Sequence, residues 1–103
     1  MYNIKESDWK LYKKLVPIWQ ERYMEKLNNE YLEILSKDKE ASTIFWELEK
    51  RINQDKRSLG VIINMRRSTM HQNVYIMLRD NIINFEDIRE FSDDFKEIIK
   101  LFY

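Results

Sequence analysis

An all-α fold, a compact bundle of four to five helices forming one domain over residues 1–103, is expected on three grounds. Helix breakers are nearly absent, with one glycine (Gly60) and one proline (Pro17) in 103 residues. Apolar and aromatic side chains recur every three or four positions, the spacing that lines one face of an α-helix. Charged residues make up 35% of the chain and fill the positions between them, as short helices with broad solvated faces require. A single core at this length implies a radius of gyration of roughly 13 Å.

The first helix is expected over about 8–36. Ser7 is placed to cap it and Asp8 to sit in its first turn, where the macrodipole favours an acid. Tyr12, Val16, Trp19, Tyr23, Leu27, Tyr31 and Ile34 form its apolar stripe. Pro17 removes one backbone hydrogen bond, but the stripe keeps phase across it, which predicts one kinked helix rather than two. The run Leu15-Val16-Pro17-Ile18-Trp19 is apolar all round, so part of it is either covered by another helix or left as an exposed patch.

Residues 36–40 are polar and aperiodic and read as a loop. Ser42 is the expected cap of a second helix that runs to about Lys56 with Phe45, Leu48 and Ile52 facing inward. Arg57-Ser58-Leu59-Gly60 reads as a turn, with positive φ open to Gly60. A third helix is expected over 61–80, burying some of Ile62, Met65, Val74, Met77 and Leu78. After a break at 81–84, Asn84 reads as an N-cap followed by Glu86 and Asp87, with Phe85, Ile88 and Phe91 as apolar contacts. Ser92 starts the last helix, which carries Phe95, Ile98, Ile99 and Phe102.

Composition narrows the function classes. Formal net charge is zero, which argues against strong non-specific attraction to nucleic acid or anionic membrane. Cysteine is absent, so there is neither a disulfide framework nor a thiolate metal site. The N-terminal stretch MYNIKESDWKLYKK is charged where a signal peptide would be apolar, and no run approaches ~18 apolar residues. A cytoplasmic protein without a membrane span is expected. The neutral total hides a division: residues 1–49 carry −2, residues 50–79 carry +6 and residues 80–103 carry −4. Either the acidic tail packs beside the basic middle, or the middle is a patch for an acidic partner.

Candidate chemistry is sparse. His71 is the only histidine and lacks partners at metal or catalytic spacing. Glu21, Glu25, Glu30 and Glu33 lie along the first helix without the Glu-x-x-His motif that di-iron bundles use. A lone Gly60 makes no phosphate-cradling loop. A non-enzymatic chain with no catalytic, cofactor or metal site is expected. Two signals point to contact with a macromolecule instead. Three tryptophans, six tyrosines and five phenylalanines exceed what so small a core needs, and Trp and Tyr are enriched at interface centres. Residues 45–78 also have a helix-turn-helix outline whose second helix would carry Arg66, Arg67, Ser68, Thr69, His71, Gln72 and Asn73, types that reach base edges and phosphates. The expected partner is another protein or a second copy (a homodimer), with nucleic acid as the alternative. Trp19, Trp46, Arg66 and Arg67 are the expected contact residues.

The stretches WQERYMEKLNNEYLEIL (19–35), FWELEKRINQDKRSLGVIINMRRSTM (45–70) and FEDIREFSDDFKEIIK (85–100) together resemble a group of small bacterial proteins of about this length, most with no assigned function. The resemblance implies a stand-alone helical domain and brings no site residues with it. A multidrug-transporter label attached to some of that group has no physical basis in this chain, where nothing is apolar enough to span a bilayer. A regulator or inhibitor of a larger host or phage protein is one role such a domain can fill.

Overall fold

The computed structural model describes residues 3–102. Among them are four α-helices, α1 (Glu6–Leu35), α2 (Ala41–Asp55), α3 (Met70–Arg79) and α4 (Asp93–Leu101), with 3-10 turns at Arg67–Thr69 and Phe85–Ile88 and no strand. At 1.5 Å per residue, α1 is about 45 Å long. Its two halves are packed by different parts of the chain, so the molecule measures 53 × 24 × 22 Å. The radius of gyration is 16.6 Å, well above that of a compact bundle of this length.

The N-terminal half of α1 carries the core. Tyr12, Val16 and Trp19 are buried against Met70, Val74, Met77 and Leu78 of α3, Ile82 and Ile83 beyond it, and Ile88, Phe91, Phe95 and Ile99. A line of rings crosses this core. Trp19 meets Phe91 at 6.4 Å, Phe91 stacks on Phe95 at 4.7 Å, and Phe95 stacks on His71 at 4.9 Å. From Leu27 onward α1 meets α2, which returns alongside it as a hairpin arm, while Arg22 bonds Asp87 and Tyr23 packs on Gly60 and the core.

The helix ends follow from local chemistry. Lys5, not Ser7, is the N-cap of α1, and Glu40, not Ser42, is that of α2; both serines lie inside their helices. Asp8 does occupy the first turn of α1, but it is buried and accepts hydrogen bonds from the Ser92 backbone N–H (2.9 Å) and hydroxyl (2.6 Å). Ser92 in turn accepts from the Phe95 N–H as the N-cap of α4. One carboxylate thus fastens the first helix to the last. α3 ends in a Schellman motif: Asn81 takes φ 59°, Ile82 N–H donates to Met77 C=O at 2.8 Å, and Asn81 N–H donates to Leu78 C=O at 3.2 Å. Asn84 and Asp87 form a reciprocal capping box, as their spacing suggested.

α1 runs unbroken through Pro17. The apolar run around it is divided: Val16 and Trp19 are buried, Leu15 packs on the core, and Pro17 and Ile18 are exposed. Residues 61–69 depart most from expectation, since the helix expected over 61–80 exists only from Met70 to Arg79. Ile62, Asn64 and Arg66 are exposed while Ile63 and Met65 are half-buried, a period-two pattern in a strap that borders Val16, Pro17 and Gln20 of α1. The run Val61-Ile62-Ile63 is β-branched, which disfavours helix and suits an extended strap. Fourteen residues (56–69) therefore separate α2 from α3, so 45–78 is not a helix-turn-helix, whose turn is three or four residues. Gly60 does not use positive φ either. It is buried, and a Cβ there would overlap the Tyr23 ring, so glycine is needed for close approach.

Candidate interaction surface

The α1–α2 arm is held by polar bonds across its seam. Tyr31 donates its hydroxyl proton to Asp55 at 2.6 Å, and Arg51 bridges Asp55 (3.0 Å) and Glu30. Burial and the bond to Asp55 push the Tyr31 hydroxyl up to about 12. Lys37 pairs with Glu47 at 2.7 Å near the loop, and Gln20 donates to the Leu59 carbonyl at the other end. Only Leu27 and Ile34 of this half of α1 are buried, and α2 has no fully buried residue, with Ile44, Leu48, Arg51 and Asp55 half-buried.

The arm has an apolar side and a polar side. At 3.6 residues per turn, Tyr31, Met24, Leu35, Asn28 and Leu32 follow Leu27 round α1 in one direction, whereas Glu30, Lys26 and Glu33 follow in the other. Round α2, Ala41, Ile52 and Phe45 follow Leu48 in one direction, and Arg51 and Glu47 in the other. Arg51 meets Glu30 and Asp55 meets Tyr31, which sets the two apolar arcs on the same side. Phe45 is 61% exposed, Leu32 60%, Leu35 53% and Ile52 41%. Trp46, 63% exposed, packs edge-on to Phe45 at 5.0 Å. The inward role expected for Phe45 and Ile52 is therefore corrected: both are exposed, while Ile44 and Leu48 are half-buried and the Arg51–Asp55 pair bonds across the seam.

The four expected contact residues do not come together. Trp46 lies on the arm. Trp19 is 2% exposed and packed on Phe91, so it belongs to the core and has no surface with which to meet a partner. Arg67 lies at the opposite end of α1, paired with Glu6 and over the Trp9 ring at 5.4 Å. Arg66 precedes the 3-10 turn and is exposed. Leu32, Leu35, Phe45 and Ile52, which build the face, were not among the expected contacts. Their signal was a second apolar arc on α1, Leu32 and Leu35, outside the Tyr12-to-Ile34 stripe.

Among the described residues the one salt bridge between the basic middle and the acidic tail joins the sequence neighbours Arg79 and Asp80, and several other charges of both segments pair through the first helix and its cap. Arg51 and Arg67 of the middle pair with Glu30 and Glu6, and Asp87 and Asp94 of the tail pair with Arg22 and Lys5. Burial alone would raise the Asp87 carboxyl, but the two 2.8 Å bonds from Arg22 and the Asn84 N–H hold it below the usual carboxylate range. A groove of about 760 Å³ runs along α3, lined by Arg67, His71, Tyr75 and Arg79 among others. It does not present free cations, since Arg67 is taken by Glu6 and Arg79 by Asp80.

His71, on that groove, is buried beneath Phe95. Burial pulls its pKa below the ordinary 6.5, partly offset by the charge of Asp8. The unfolded chain then binds a proton that the folded chain resists, so stability is fully present above about pH 6.5 and falls as pH drops below it. Urea melts between pH 7.5 and 5 check this. The fall should flatten in His71→Phe, and parallel curves for the two proteins would refute it.

Among the described residues no group of three or more His, Cys, Asp or Glu is arranged to hold a metal ion, and no helix is long and apolar enough to cross a membrane. No protein-family model, curated protein sequence or solved structure matches the chain.

Proposed function

We propose that this protein is a small non-enzymatic interaction module that binds another protein through the apolar face of the α1–α2 arm, as a regulator or inhibitor does. One observation carries the reading. α2 is a fifteen-residue amphipathic helix with no fully buried residue, and its exposed apolar arc continues that of α1 into one uncovered surface. Monomeric proteins seldom leave a contiguous apolar surface of this kind without a use. The aromatic pair Phe45–Trp46 is of the type that anchors interfaces. Arg66 and Arg67 are remote from this face and take no part in the reading.

Site-specific photocrosslinking tests it. A photoreactive phenylalanine analogue at position 45 should give discrete protein adducts in the living cell. The same analogue at exposed position 10, remote from the arm, should give none. Equal labelling from both positions, or none from position 45, would sink the reading.

A further inference from the structure

Carboxylates flank the uncovered face. At 3.6 residues per turn Glu21 falls between Asn28 and Leu32 at the edge of the α1 arc, Glu25 lies just beyond Leu32, and Glu49 lies beyond Phe45 on α2, with Lys56 a cation between Phe45 and Glu49. The remaining bases of the arm turn away or are occupied. Lys26 and Lys50 lie on other faces, Arg51 is held by Glu30 and Asp55, and Lys37 and Lys39 both reach Glu47. None of Glu21, Glu25 and Glu49 makes a salt bridge to a described residue; Glu49 only accepts a hydrogen bond from Asn53.

We infer that the face takes a basic amphipathic helix, its apolar stripe seated between α1 and α2 and its lysines or arginines on the Glu21, Glu25 and Glu49 borders. This inference rests on the proposed function and names the chemistry of the partner. Each arc extends about 17 Å, the length of a helix of roughly eleven residues. Two helices side by side leave a groove that a third fills, and an amphipathic helix in a groove is a recurrent recognition mode. A second copy of the chain fits the borders poorly. Face-to-face pairing sets the Glu25 and Glu49 borders near one another, and like charges so placed disfavour association, with Lys56 the one group on the face that opposes this. The exposed Trp46 and Phe45 rings offer a cation–π contact to the same basic side chains.

The probe is an acetylated, amidated peptide of the heptad Leu-Lys-Lys-Leu-Leu-Lys-Leu repeated twice, compared with the same peptide carrying Glu for every Lys. Binding is followed by tryptophan emission, and mass by light scattering. The Lys peptide should bind the intact protein and shift the emission to the blue, and Trp46→Phe should abolish that shift. Phe45→Ser combined with Ile52→Ser should weaken binding about tenfold or more. Glu25→Gln combined with Glu49→Gln, which leaves the apolar face intact, should weaken it several-fold and flatten its salt dependence. Circular dichroism confirms the fold of each variant. Equal binding of the Glu peptide, or no effect of the two Glu→Gln changes, would overturn the basic partner while position-45 crosslinks still upheld docking there. A concentration-dependent dimer that excludes the Lys peptide would overturn it in favour of a second copy. Binding of neither peptide to a monomeric protein would also overturn it.

Discussion

Trp19→Ala should lower unfolding stability by about 3–5 kcal/mol, the cost of truncating a large buried aromatic. Trp46→Ala should change stability by no more than about 0.5 kcal/mol, as surface substitutions do. The two tryptophans are of one residue type on neighbouring helices, so the contrast isolates burial. Trp19 is 2% exposed and meets Phe91 where α1 faces the last third of the chain, and its loss leaves a cavity in the line of rings that ends at His71. Trp46 is 63% exposed, with Phe45 as its ring partner. Proteins of this size are stable by about 5–15 kcal/mol, so the first change takes a large share of the total. Urea melts of both variants check the difference. Equal losses would mean that Trp46 is covered in the folded protein and that the arm has no open face.

Asp8→Ala should cost about 2–4 kcal/mol, through two charge-assisted hydrogen bonds and the stranding of the Ser92 N–H and hydroxyl. The carboxylate is 4% exposed, so water does not replace it easily. Asp8→Asn keeps one acceptor and should cost less. A double-mutant cycle with Ser92→Ala reports the coupling directly, and additive losses would show that the two side chains do not cooperate. Because the Asp8 charge raises the His71 pKa, Asp8→Ala should also push that pKa further down, which a titration of the imidazole resolves.

The all-helical class and the α1 stripe were readable because both rest on short-range periodicity. Tyr12, Val16, Trp19, Leu27 and Ile34 are buried as their spacing implied, and Asn84 and Ser92 cap as their neighbours implied. Three features were not readable, each for a physical reason. Ser7 and Ser42 had the right chemistry for caps, yet the backbone turns helical two residues earlier. The strap 61–65 alternates in and out with period two, but beside long helical runs its apolar residues looked like part of a helix. The direction of the α2 apolar arc depends on which side chains occupy the seam with α1. Residues twenty or more positions apart, Tyr31 with Asp55 and Glu30 with Arg51, decide that. A stripe tells that a helix has a greasy side and not whether anything in the same chain covers it, so Phe45 and Ile52 were misplaced.

The Asp8–Ser92 clasp spans 84 residues, and the partners that bury Trp19 lie between Met70 and Ile99. Translation adds about 5–20 residues per second, so the front of the polypeptide waits several seconds for the pieces that cover it. The arm can close from neighbouring segments as soon as residue 60 emerges, while Tyr12, Val16 and Trp19 remain bare on the growing chain. Birth on the ribosome therefore leaves the interior open to solvent until residues 88–99 arrive, and chains halted before residue 92 should aggregate.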